Sequence, residues 1–491
     1  MKGAKGQTRR EVLRSMCATA ALAGVPAQMW GAAKLLGKPD LVIGVLSDIH
    51  ISLPPRAPDS KSVMRFRHAL EYFRDRHVDG VLISGDLADA GLETELSAVA
   101  DAWFSVFPGG RLPDGSPVAN LMHYGDHDAE ARFYNKNLKD KFAAAGLPVP
   151  QSMSEGENRR TFWEKLFGEP WSPIRHVKVK GYDFVLSNFM REGGKSAPDD
   201  LEAQLKAMNL DPTRPFFYSQ HRWIKGTYLT DEEMWGWDNG VAFKALSKFP
   251  NAVAFQGHTH YMLTDERGVW FGGFTAINAG SLKSQAVGRI RENGVDISWY
   301  KADYMREKQM PAVSGSNGHA GMVMTLKGDL MTLERRDFER DASLGPDLVF
   351  SVDPKARAMQ SNEARKAASV APEFEAGAAV GVAERAGSDR LGRETPQVEV
   401  SFPTVRAAGV RPRALDYVVR AERADGSTVC EKRVYSPGIN LPEGRDAVFA
   451  TCLFAVREIA GAERVRFSVR PCNCWGLAGK PIVSKEWTKR S

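Results

Sequence analysis

Leu41-Val-Ile-Gly-Val-Leu-Ser-Asp48-Ile-His50 is the stretch from which the rest of the chain can be read. A short, continuous apolar run of this kind suits a strand buried on both faces, as in a parallel sheet. The run ends in Asp-x-His, so Asp48 and His50 fall where the strand gives way to a loop. In open α/β sheets ligands bind at that carboxyl edge. Once the strand ends, this Asp and His can both turn toward one ion.

Three later stretches repeat the design. Val81-Leu-Ile-Ser-Gly85-Asp86 ends in Gly-Asp, Asn120-Leu-Met-His-Tyr-Gly125-Asp126-His127-Asp128 in a polar cluster, and Ala252-Val-Ala-Phe-Gln-Gly257-His258-Thr-His260 in His-x-His. Pro215-Phe-Phe-Tyr-Ser-Gln-His221 is a weaker example. Each predicted strand brings oxygen or imidazole ligands to the same edge, with glycines to let the backbone turn tightly beside them. Carboxylate plus imidazole, without thiolate, suits Mn, Fe or Zn rather than a thiolate-rich structural zinc site.

These motifs, in this order, resemble the calcineurin-like metallophosphoesterases over roughly residues 39–340. Gly-Asp alone is common; all five motifs in order, each behind an apolar run, are specific. The resemblance implies a four-layer αββα sandwich binding two divalent metal ions. It assigns Asp48, His50 and His260 to one metal, Asp86 as a bridge, and Asp126, His221 and His258 with Asp86 to the second. Two such ions hold a bridging hydroxide in line with a phosphoryl group and neutralise its oxygens. His127 is then the group that protonates the leaving oxygen or steadies the transition state, with Asp128 orienting its ring. The family usually has Asn where this chain has Asp126. The extra charge holds a cation more tightly and makes it a weaker Lewis acid. That leaves a working variant, a shifted metal preference or a damaged site.

Other residues near the motifs carry two readings each. Arg222 either binds a substrate phosphate by a bidentate contact or makes an ordinary salt bridge. Asp89 reads as a loop-capping carboxylate, His123 as packed or supporting the ligands, and Trp223 and Tyr261 as packing residues. His68, His77, His176 and His319 are expected to have no role.

The 491 residues suggest two to three domains, and 43% hydrophobic with 26% charged is ordinary globular composition. Lys2, Lys5, Arg9, Arg10 and Arg14 against Glu11 supply most of the formal +6, leaving about +2. Nothing global therefore points to a nucleic-acid polymer or a membrane surface. Thr8-Arg9-Arg10-Glu11-Val12-Leu13 matches the twin-arginine export pattern, followed by a weakly apolar run from Met16 to Val25. The run is too short for a transmembrane anchor. Residues 1–38 thus read as a signal segment and linker, with export to the periplasm or beyond. Four of the five cysteines lie late, at Cys430, Cys452, Cys472 and Cys474. Their pairing, or their state as buried free thiols, stays open.

Along the chain, helices are expected over Val63–Val78, Glu95–Val106, Phe133–Ala145, Thr161–Phe167, Asp199–Met208 and Val241–Phe249, with a hairpin over Arg175–Asn188. Ser361–Gly381 is rich in Ala and Glu without a clear period, and residues 341–394 read as a linker or the start of the next domain. From residue 395, six short predicted strands separated by turn signals argue for a β-sandwich. Arg466–Gly476 followed by Pro481-Ile resembles the last two strands of a fibronectin type III domain. This domain either packs against the first or contacts a surface partner. The sequence thus supports an exported metal-dependent phosphoesterase acting on a small phosphomonoester or phosphodiester. The alternatives are an impaired site whose protein serves as a surface binding module, and metal-dependent action on a non-phosphate ester.

Overall fold

The computed structural model describes residues 37–52, 60–134, 137–190, 195–227, 238–285, 318–387, 394–406, 412–442 and 449–488. Residues 1–36, with the expected signal segment and Cys17, lie outside them, as does the Pro-rich stretch after Ser52. Among the described residues, no helix is long and apolar enough to cross a membrane.

Strand β1 (Leu41–Leu46), helix α1 (Lys61–Asp75), β2 (Gly80–Ser84), α2 (Glu93–Val106) and β3 (Ala119–His123) alternate, and the three strands pair in parallel. Phe66, Ala69, Leu70 and Phe73 share the buried face of α1, as their spacing predicts. The helix expected over Phe133–Ala145 is two helices, α3 (Asp126–Tyr134) and α4 (Leu138–Ala144). The first begins within the Gly-Asp-His-Asp motif, where acidic residues in the first turn complement the helix dipole. Helix α5 (Asn158–Phe167) follows, then a hairpin of β4 (Ile174–Val179) and β5 (Tyr182–Ser187). Its two-residue turn has positive φ at both Lys180 and Gly181, the geometry that suits a tight hairpin.

Helix α6 (Leu201–Ala207), β6 (Phe216–Gln220), α7 (Val241–Leu246), β7 (Ala252–Gln256), β8 (Val269–Phe271) and β9 (Thr275–Asn278) complete a second sheet, ordered β4-β5-β6-β7-β9-β8. Strands β10 (Ala320–Lys327), β11 (Leu330–Asp337), β12 (Ala342–Ser343) and β13 (Leu348–Ser351) return to the first sheet, with β10 antiparallel to β1. That sheet therefore runs on past residue 340.

The continuous apolar runs turn out to serve two cores in strict alternation. Leu41, Ile43, Val45, Leu82, Leu121, Phe217, Val253 and Phe255 fill the space between the sheets. Val81, Ile83 and Met122 face α1, α2 and α5 instead, and Phe216, Tyr218, Ala252 and Ala254 face α6 and α7. The result is a four-layer αββα sandwich.

Helix α8 (Asn362–Ala368) leads to a C-terminal all-β sandwich. Its strands are β14 (Gly381–Arg385), β15 (Gln397–Pro403), β16 (Asp416–Glu422), β17 (Thr428–Tyr435), β18 (Phe449–Ala455), β19 (Arg464–Cys472), β20 (Ile482–Val483) and β21 (Trp487–Thr488). One sheet is ordered β14-β15-β18, the other β17-β16-β19-β20 with β21 beside β19. Val400, Phe402, Tyr417, Val419, Phe454 and Phe467 pack between them. Cys430, Cys452, Cys472 and Cys474 are all free thiols.

The sandwich packs onto the αββα unit. Leu415 and Ile439 bury against Trp223, Tyr261 and Met262, and an Arg413 Nη donates to the Leu344 carbonyl at 3.2 Å.

Candidate metal centre

The strand ends converge from both sheets rather than along one edge. Asp48 and His50 follow β1, Asp86 follows β2, and Asp126 follows β3, all in the first sheet; His221 follows β6, and His258 and His260 follow β7, in the second. Backbone pairing continues past the strands, with Asp48 N–H to Gly85 O at 3.0 Å and His50 N–H to Asp86 O at 2.9 Å.

Asp48, His50, Asp86, His258 and His260 all have positive φ, between 43° and 70°. Such conformations cost of order 1–3 kcal/mol each and persist where the surroundings over-determine them, typically at functional sites. The glycines beside them work in two ways. Gly85 turns the chain at φ 88°. Gly125 and Gly257 have ordinary φ, but a Cβ on Gly125 would strike the Asp86 carboxylate, and one on Gly257 the side chains of Ser47 and Asp48. They are there for space.

Two clusters result. Asp48, His50 and His260 form one, Asp86, Asp126, His221 and His258 the other, with donor atoms within 4.8 Å of one another in each. Asp86 joins them: its Oδ2 lies 3.3 Å from His50 Nε2, and its Oδ1 lies 3.2 Å from His221 Nε2. His260 Nε2 is 3.3 Å from Asp48 Oδ1, and His221 Nε2 is 3.2 Å from Asp126 Oδ1. Asp48, Asp86 and Asp126 are at most 1% exposed. Burial alone would raise the Asp126 pKa, yet His258 and His221 hold it well below 3.8. Three buried carboxylates ringed by imidazoles call for cations, so the donor set fits divalent ions such as Mn, Fe or Zn.

The ring nitrogens turned away from the clusters have partners, as metal-binding histidines require. His50 Nδ1 faces Asp89 Oδ1 at 3.0 Å, His221 Nδ1 faces the Ser84 carbonyl at 2.8 Å, and His260 Nδ1 faces Ser284 Oγ at 3.2 Å. Lys283 Nζ lies 2.5 Å from the same Asp89 oxygen. The sequence singled out neither Lys283 nor Ser284, and nothing in their local pattern marks them. Asp89 is more than a loop cap.

His127 sits beside the cluster, its ring edge-on to His50 with centroids 4.5 Å apart. Its Nδ1–H donates to the Asp89 carbonyl at 2.7 Å, which leaves Nε2 as the other ring nitrogen. Burial works to lower its pKa, but Asp86, the Asp89 carbonyl and Asp126 outweigh it and raise the value.

Asp128 does not orient His127, contrary to expectation. Its fully buried carboxylate accepts from the backbone N–H of Leu87 at 3.1 Å, Ala88 at 2.8 Å and Gly125 at 2.7 Å. Those are the loops carrying Asp86 and Asp126, so Asp128 ties them together. Arg222 makes a salt bridge, with Nη2 3.3 Å from Asp126 Oδ2. His123 is packed, its Nε2 2.8 Å from Ser219 Oγ, and Trp223 and Tyr261 are buried.

No family model and no curated protein matches this chain. Solved structures do match it. One is a dimetal phosphatase from Danio rerio, 13% identical, covering 64% of this chain and 100% of that one at a TM-score of 0.35. Another is a purple acid phosphatase from yellow lupin seeds, 12% identical, covering 69% and 58% at a TM-score of 0.39. A third is a predicted phosphoesterase from Streptococcus pneumoniae, 12% identical, covering 63% and 97% at a TM-score of 0.26. At such identities and TM-scores the likeness settles neither activity nor substrate.

Proposed function

We propose that the chain is a metal-dependent phosphoesterase of the calcineurin-like kind, hydrolysing a small phosphomonoester or phosphodiester. The observation that carries this reading is Asp86, whose two oxygens face two separate Asp/His clusters. A carboxylate in that position relieves the repulsion between two cations held close together. Asp48, His50 and His260 would hold one ion, Asp126, His221 and His258 the other, with Asp86 shared. When bound, the ions supply Lewis-acid neutralisation of phosphoryl oxygens and an activated water.

The protein's own groups do the rest. The Asp89 carbonyl fixes the proton on His127 Nδ1, and protonated His127 has Nε2–H to give to the leaving oxygen. The Asp89 carboxylate keeps His50 turned toward the clusters. Asp126 is the sequence feature that favours an impaired site; its pairing with Arg222 gives the extra charge a partner and supports the working variant.

We further propose export through the twin-arginine route, on the strength of Arg9-Arg10 in its sequence context, and a fibronectin type III-like character for the C-terminal sandwich. Side-by-side assay of p-nitrophenyl phosphate, bis-p-nitrophenyl phosphate and a carboxylic ester tests the activity. Metal-dependent turnover confined to the phosphoesters is expected; carboxylic ester turnover alone would replace the proposal with the non-phosphate reading.

A further inference from the structure

Asp126 faces the cluster histidines with both oxygens and Arg222 with one of them. Oδ1 faces the cluster through His221 Nε2 at 3.2 Å, whereas Oδ2 lies 3.3 Å from Arg222 Nη2 and 3.5 Å from His258 Nδ1. Arg222 is itself fixed from two other sides. Its guanidinium lies over the Phe189 ring, 4.8 Å from the centroid, and its backbone N–H donates to Ser196 Oγ at 3.1 Å. The Asp126 side chain is 1% exposed and that of Arg222 is 21% exposed, so little solvent screens the pair.

We propose that Arg222 is a positioning residue that works through Asp126, the two forming one unit that offers the second metal a single, charge-compensated oxygen. The inference rests on the two-metal reading above. A carboxylate is the side chain that can serve both partners at once, because each of its oxygens is an acceptor. An amide at position 126 has only one. Turning its oxygen to the metal points its NH2 at the Arg222 guanidinium, and turning it to Arg222 points the NH2 at the metal. Asn at position 126 therefore serves one of the two at the expense of the other, although its side chain is the same size as that of Asp.

The same geometry explains how Asp126 can carry a full charge without over-binding the cation. The guanidinium at Oδ2 draws off part of the carboxylate charge and adds a positive charge near the site. The metal then meets a weaker donor than an isolated carboxylate. Removing Arg222 alone leaves the extra negative charge; removing the Asp126 charge alone leaves the guanidinium without this carboxylate beside the second metal's place.

Titration of the metal-free full chain with Mn alone, by calorimetry and without substrate, tests the unit directly. The set is the parent protein, Asp126→Asn, Arg222→Met, the double variant and Arg222→Lys. Asp126→Asn should weaken the second ion about tenfold or more. The double variant should recover to within about threefold of the parent, because coupled residues are non-additive. Arg222→Lys, which keeps a positive charge, should stay close to the parent. Arg222→Met should change the second affinity while leaving the first ion unaffected.

Two ions bound by the parent, with the double variant no better than Asp126→Asn, would overturn the inference alone. So would an Arg222→Met protein whose metal affinities match the parent and in which only the KM for substrate rises. A parent that takes up fewer than two ions overturns the two-metal reading and this inference together.

Discussion

His50 Nδ1 and Asp89 Oδ1 lie 3.0 Å apart, and the same Asp89 supplies through its backbone carbonyl the acceptor for His127 Nδ1. One residue thus orients the His50 imidazole with its side chain and the His127 imidazole with its main chain. Asp89→Ala removes only the first of these functions. The variant should bind its first metal ion about 10–100-fold more weakly, with the second ion little changed. Stepwise metal titration checks this.

Asp128 acts on the backbone. Asp128→Ala would leave the N–H groups of Leu87, Ala88 and Gly125 buried without an acceptor. Each such loss costs about 1–3 kcal/mol, so the variant should lose at least about 3 kcal/mol of stability, measurable by denaturant unfolding. Asp128→Asn keeps one acceptor oxygen and should fall between the variant and the parent. Had Asp128 oriented His127, Asp128→Asn would cut turnover without moving stability.

Glu95 supplies a pH dependence. It is fully buried, and its Oε2 accepts from the N–H groups of Ala90 and Leu92, just beyond Asp89. Burial pushes its pKa up to about 8 from 4.5, against the lowering effect of those two amides. A group with a raised folded-state pKa stabilises fully below its unfolded value, and that stability is lost as pH rises through the folded one. Stability should therefore fall between pH 4.5 and about 8, by up to about 1.4 kcal/mol for each rise of one in pH. Glu95→Gln, which cannot ionise, should flatten this slope in unfolding curves taken across the window.

The C-terminal sandwich reaches the loops after His221 and His260 through Leu415, which buries against the cluster of Trp223, Tyr261 and Met262. Trp223 is two residues beyond His221, and Tyr261 directly follows His260. Leu415→Ala should cost about 2–5 kcal/mol and weaken metal binding as well, because the cavity opens behind both loops. Thermal unfolding with and without metal separates the two effects. A loss of stability with unchanged metal affinity would make the sandwich a passive neighbour.

Much of the site is legible because its residues stand just past apolar strand-like runs, Asp86, Asp126 and His258 each directly after a glycine, and the resemblance these motifs carry groups them with Asp48, His50, His221 and His260. Local sequence does not say which sheet each strand joins. The expectation of one common edge therefore gave way to two facing sheets. The role of Asp128 was misread because a carboxylate beside a histidine in sequence need not touch it; here α3 begins at Asp126 and Asp128 turns back to three amides. Strand β14 was missed because Gly-Val-Ala-Glu-Arg is mostly exposed at a sheet edge and shows no alternation. The interdomain packing at Leu415 and Ile439 carries no local signal at all.

Metal content measured alongside phosphoesterase turnover tests the central claim most directly, on full-length protein loaded with Mn, Fe or Zn. About two ions per chain and turnover abolished by chelation are expected. His127→Ala should lower turnover by about 10²–10⁴-fold with metal content intact. Two bound ions with no turnover on any phosphoester, or turnover that survives complete removal of metal, would contradict it.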